Sequence, residues 1–109
     1  MTRGTTPTHV FTFDTIDPST LSVLNIYYAQ RGIIILKKEK SDCHFETVEK
    51  GGVTLYNAKV KLTQAETKMF TAGVDAEIQL RVLMDDNTAS ASFKFRIPVF
   101  NVLDDEELT

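Results

Sequence analysis

The chain reads as an all-β protein, an antiparallel sandwich of about seven strands with one short helical turn. Three observations predict this. From Tyr56 to Val99 apolar and polar residues alternate with a period of two, which turns one face of each strand toward a core. Turn signals separate the apolar runs at Asp17-Pro18-Ser19, Gln30-Arg31-Gly32, Glu49-Lys50-Gly51-Gly52 and Asp85-Asp86-Asn87. The third observation is Thr63-Gln64-Ala65-Glu66, in which the Thr63 hydroxyl can accept from the Glu66 amide while the Glu66 carboxylate reaches back to the Thr63 amide.

In chain order, residues 1–7 are small and polar and are expected to be a flexible lead-in to a single domain over 8–103. The first strand is Thr8–Phe13, with His9, Phe11 and Phe13 on one face and Val10 and Thr12 on the other. Leu21–Gln30 is the second. Its alternation slips between Val23 and Leu24, a mark of a β-bulge or a change of partner, and puts Leu24, Ile26 and Tyr28 together. Ile33–Lys38 is apolar enough at its start to be expected buried on both faces. Cys43–Val48 is a weaker strand. Val53–Leu62 has Tyr56, Ala58, Val60 and Leu62 inward and Lys59 and Lys61 outward.

The capped turn follows, near 63–70, with Ala65 and Met69 four apart on its expected core side. A hairpin ends the domain: Ile78, Leu80, Val82 and Met84 face inward on one strand, and Phe93, Phe95, Ile97 and Val99 on the other. Pro98 on its polar phase indicates an edge or the end of regular pairing. A helical turn between two late strands is where immunoglobulin-like sandwiches cross from sheet to sheet, so that architecture is expected, with an open barrel as the alternative.

Composition limits what the chain can do. At 109 residues, with 42% hydrophobic and 25% charged, it has the material for one ordinary core. Its net charge of −3 is concentrated at one end: four of the fifteen acids, Asp104, Asp105, Glu106 and Glu107, form an acidic tail over 104–109. The remaining eleven face twelve Lys and Arg, a body of net charge +1. Such a body carries no field for nucleic acid. Cys43 is the sole cysteine, so no internal disulfide forms. No apolar h-region opens the chain and no apolar run reaches spanning length, so synthesis and folding in the bacterial cytoplasm without membrane insertion are expected.

Chemistry is sparse. His9 and His44 have no ligand-spaced partner, and Cys43 and His44, adjacent on a strand, point to opposite faces. Asp85-Asp86-Asn87 lacks the alternating ligands, glycine and distal glutamate of a calcium loop and reads as a reversal. No catalytic, metal-binding or cofactor-binding residue is assigned, and a small-molecule ligand is not expected. Thr88, Ser90 and Ser92 alternate with Ala89 and Ala91, a small-residue strand that admits a second subunit and makes a homo-oligomer one outcome. With Lys94 and Arg96 these three are the candidate interface. The pairs Lys59/Lys61 and Lys94/Arg96 are expected to share one basic sheet face. Tyr27, Tyr28 and Tyr56 are the alternative, an aromatic platform for a carbohydrate-binding module.

Two segments carry a resemblance. RGTTPTHVFTF with the strand IYYAQ, and KVKLTQAETKMF with VDAEIQLRVLMDDNTASASFKFRIPV, resemble short proteins encoded in prophages and mobile elements of Gram-positive bacteria. The second half, through Leu62-Thr63, Glu66-Thr67 and Ile78-Gln79-Leu80-Arg81-Val82, is similar to the immunoglobulin-like N-terminal domain of phage tail baseplate upper proteins. The resemblance implies a non-enzymatic structural protein of tail or baseplate, partnered by other phage subunits and located in the virion after assembly. It implies no catalytic residue. No long C-terminal extension for trimerisation or receptor-binding modules is expected, a departure from the baseplate proteins.

Overall fold

A computed structural model describes residues 1–92, 94–104, 106 and 108. Among the described residues, eight strands form two antiparallel sheets: β1 (Thr8–Phe13), β2 (Val23–Gln30), β3 (Ile33–Glu39), β4 (Cys43–Lys50), β5 (Val53–Lys61), β6 (Ala76–Leu83), β7 (Ala89–Ala91) and β8 (Phe95–Ile97). One sheet has the order β1-β5-β4; the other runs β3-β2-β6, with β7 and β8 both on the far side of β6. That is the immunoglobulin order B-E-D over C′-C-F-G, with no strand in the place of A. The single helical turn α1 (Gln64–Thr67) joins β5 to β6, at the crossover between the sheets.

Local chemistry explains three of the turns. Gly51 and Gly52 both have positive φ, the two-residue type that matches strand twist in the β4–β5 hairpin. In the β6–β7 reversal Asn87 sits at φ 67, where Asn is among the few side chains tolerated. The Asp86 carboxylate accepts from the Thr88 amide at 2.9 Å, and Met84 and Thr88 close the loop with a 2.9 Å backbone bond. Asp17 caps the 3-10 turn Pro18–Thr20, accepting from the Ser19 amide.

The core lies between the sheets. Leu24, Ile26 and Tyr28 from β2 meet Ala58 and Val60 from β5 and Ala76, Ile78 and Leu80 from β6, all buried. The phase slip near Val23 has a different cause from the one expected. Leu21 is buried ahead of β2, on the C-cap of the 3-10 turn, and the register irregularity lies between Tyr28 and Ala29, opposite Ile35. A second one-residue shift falls on the return strand, where Val82 faces Ser90 but Ile78 faces Phe95. At the break, the Ser92 hydroxyl accepts from the Leu80 amide at 2.9 Å, standing in for a backbone carbonyl.

Several expectations need correction. Ile33 and Ile34 are 67% and 60% exposed instead of doubly buried, because β3 is an edge strand and its first residues reach beyond the facing sheet. Met69 and Ala65 face solvent; the core side of the turn is Thr67 and Phe70, because the helix is a single turn whose i, i+3 pair points inward. Phe70 meets Tyr28 edge-on with centroids 6.1 Å apart. Phe95 is about half exposed, and Phe93 lies outside the described residues.

The first residues, expected to run free, are tied down. The Met1 nitrogen donates to the Pro98 carbonyl at 2.7 Å, and Thr2 forms a parallel bridge with Phe100. Buried Thr67 Oγ1 accepts from the Gly4 amide at 2.9 Å and donates to the Thr5 carbonyl at 3.0 Å. In the acidic tail, Leu108 makes paired 2.8 Å bonds to the Gln64 amide group.

Candidate functional site

An apolar opening lies where the sheets differ in width. The β1-β5-β4 sheet is three strands across; the facing sheet, β3-β2-β6 with β7 and β8, is four. The inner side of β8 therefore has no strand above it. A groove of about 680 Å³ results, floored by Ile78, Leu80, Phe95 and Ile97 and walled by β1 and the two residues after it, Asp14 and Thr15. Phe11 and Phe13 line its inner wall, and Val10 is 49% exposed at its rim. Among the described lining residues the one carboxylate is Asp14, and no Lys or Arg is present.

The edge of β1 along this groove is unpaired. The Leu62 amide donates to the Pro7 carbonyl at 3.0 Å, which makes Pro7 and Leu62 a hydrogen-bonded pair in a register that sets Thr8 opposite Lys61. Alternation then directs the amides and carbonyls of His9, Phe11 and Phe13 toward β5 and those of Thr8, Val10 and Thr12 outward.

Near the inner end of the groove, the buried Tyr28 hydroxyl shares a 2.7 Å hydrogen bond with His9 Nδ1. Burial lowers the His9 pKa and raises that of Tyr28, so both groups stay neutral near pH 7. Burial likewise raises the Cys43 thiol, which leaves it a poor nucleophile. Cys43 and His44 lie on opposite faces as expected, and His44 reaches Glu46 at 3.7 Å. Among the described residues no three His, Cys, Asp or Glu gather as a metal site.

The capping box forms as the sequence predicts. Thr63 Oγ1 accepts from the Glu66 amide at 3.1 Å, and the Glu66 carboxylate accepts from the Thr63 amide at 2.8 Å. What the sequence did not reveal is Lys38, which crosses from β3 to Glu66 at 2.6 Å with only 12% of its side chain exposed. Burial would raise the Glu66 carboxyl; the bonds from Lys38 and Thr63 and the Lys38 charge outweigh it and hold the group below the ordinary range. The signal was a lysine in phase with Leu36, two residues before it on β3.

The expected interface residues divide. Thr88 and Ser90 are exposed on the return strand, and Ser92 is spent in the break, its carbonyl also accepting from Gln79 Nε2 at 3.1 Å. The one-residue shift turns Ser90 and Ser92 to the inner side and Lys94 and Arg96 to the outer side. Nor do the basic pairs share a face. Lys59 and Lys61 belong to the outer side of β5, where Lys59 meets Glu46 at 2.6 Å; Lys94 and Arg96 belong to the opposite sheet.

The tyrosines form no platform, since Tyr28 is fully buried while Tyr27 and Tyr56 belong to different sheets. Tyr27 lies in a shallow outer hollow of about 370 Å³ with Glu77, Gln79, Arg81 and Lys94, its ring 6.0 Å from Lys37 Nζ. Among the described residues no helix is long and apolar enough to cross a membrane. No protein-family model and no curated protein matches the chain.

Proposed function

We propose that this chain is a non-enzymatic structural subunit of a phage or prophage particle, in the tail or baseplate, acting through protein–protein interfaces with other particle subunits. The observation that carries the reading is the open side of the sandwich: an apolar groove beside an unpaired strand, with Val10 and Phe95 each about half exposed. Side chains of this size gain free energy when covered, on the order of 25 cal/mol for each Å² of apolar surface removed from water. Ile33 and Ile34 on the β3 edge add a second uncovered apolar site. The sequence resemblance of both halves supplies the class of partner. The carbohydrate alternative loses Tyr28, its most enclosed ring, and keeps Tyr27 alone on an accessible hollow.

Purified particles from an induced lysogen, resolved by electron microscopy and mass spectrometry, test the proposal. The chain is expected in stoichiometric amount with tail or baseplate proteins. Its absence from intact particles overturns the reading.

A further inference from the structure

We propose that the groove between β1 and β8 receives a single extended strand from a partner chain, laid antiparallel along β1 in the place that strand A holds in an immunoglobulin sandwich. The inference rests on the interface reading above and names what fills it. One strand at the usual spacing of about 4.8 Å from β1 would make the narrower sheet four strands wide, matching the sheet it faces. It would also cover the inner sides of Phe95 and Ile97.

None of the described residues before β1 fills this place. The segment before β1, which leads into strand B from strand A in an immunoglobulin sandwich, bridges instead to Phe100, three residues beyond the end of β8.

The edge is also unguarded. Exposed strand edges are ordinarily protected by charge, proline or a bulge. Of the three other outer edges, β3 carries Lys37, Lys38 and Glu39, β4 carries Glu46, Glu49 and Lys50, and the β7–β8 edge is broken by the one-residue shift and carries Arg96. β1 carries none of these devices over Thr8–Phe13, and its outward amides and carbonyls, on Thr8, Val10 and Thr12, repeat every second residue.

Shape selects a lone strand over a second copy of this domain. Two copies joined β1 to β1 would each bring a facing sheet one strand wider, and β8 of each would collide with that of the other. The six residues of β1 span about 20 Å, the length of one short extended peptide. Charge sets the occupant's chemistry. With Asp14 as the one charged group on the described walls, at the C-terminal end of β1, an antiparallel strand fits with a basic residue at its N-terminal end and uncharged residues after it. Alternate positions facing the groove are apolar.

The test is titration of the isotopically labelled chain with the synthetic peptide Lys-Val-Thr-Val-Thr-Val, followed by amide NMR and hydrogen exchange. The expected result is saturable shifts at β1, Phe95 and Ile97, with amide exchange slowed at Thr8, Val10 and Thr12 and unchanged at His9, Phe11 and Phe13. The peptide Lys-Val-Val-Thr-Thr-Val, which breaks the alternation, is expected to bind at least tenfold more weakly. Val10→Pro removes an outward amide at an edge position that tolerates proline and should weaken binding at least tenfold. Phe95→Lys, a change at a half-exposed side chain, should do the same should the proline variant fail to fold.

No shift at millimolar peptide, shifts confined to the β3 or β4 edges, or a dimer whose β1 amides are already protected would overturn the strand slot. Particles that contain the chain while the peptide fails to bind would do so as well, leaving the particle reading intact. Binding by a chain absent from particles supports the slot and removes that reading instead.

Discussion

Replacing Glu66 separates two contributions that meet on one carboxylate. Glu66→Ala removes the bond to the Thr63 amide and the 2.6 Å partner of Lys38 together. A helix N-cap interaction contributes about 1 kcal/mol. Exposed ion pairs contribute about 0–1 kcal/mol, and with its side chains 12% and 20% exposed this pair belongs at the upper end. The alanine variant should therefore lose about 2 kcal/mol, close to 1 M in the urea midpoint for a domain of this size. Glu66→Gln keeps an oxygen for the Thr63 amide and gives up the charge, so it should lose about half as much.

The pH dependence carries a sign. The native carboxyl titrates below its unfolded value, so its contribution is present above the ordinary glutamate range near 4.3 and is lost as pH falls through the lowered native value. Urea titrations of wild type, Glu66→Gln and Glu66→Ala at pH 7 and pH 3 measure this, and the difference between glutamine and wild type should shrink at pH 3. Both variants within about 0.5 kcal/mol of wild type at pH 7 would refute the reasoning, leaving Thr67 and Phe70 to hold the turn.

Three further outcomes follow from single contacts. Thr67→Val keeps the buried shape and strands the Gly4 amide and Thr5 carbonyl; a loss of about 2 kcal/mol and faster exchange at Gly4 are expected by denaturation and hydrogen exchange. His9 is neutral in the fold with a lowered pKa, while the unfolded chain takes a proton below about 6.5. Stability should accordingly fall from about pH 7 toward pH 5, and His9→Gln should flatten that slope in calorimetry. Asn87→Ala should cost about 1 kcal/mol in thermal unfolding because of the positive φ, and Asn87→Gly should be nearly neutral.

Much of the sandwich was legible because strand burial has a period of two. The bounds of β1, the inward set Leu24, Ile26 and Tyr28, the alternation along β6 and the capping box of Thr63 and Glu66 all depend on neighbours a few residues away. Ile33 and Ile34 were misread for the opposite reason. A run of isoleucines states an affinity for cover, but only the width of the facing sheet says whether cover reaches them. The same holds for Met69 against Phe70, where the direction of one helical turn is chosen by what lies beneath it. The groove itself has no signature in the sequence. It arises from two sheets of unequal width and from an N-terminal segment that bridges to Phe100.

The sequence by itself determined the longer strands, the inward residues of β2, β5 and β6 and the turn chemistry, since side-chain alternation, glycine and asparagine at positive φ, and capping are local properties. Only the tertiary structure decided which edge stays open, which basic residues share a face, and that Lys38 ends on Glu66. Those outcomes depend on how many strands each sheet holds and where a one-residue shift falls, and both are settled by contacts between residues far apart in the chain.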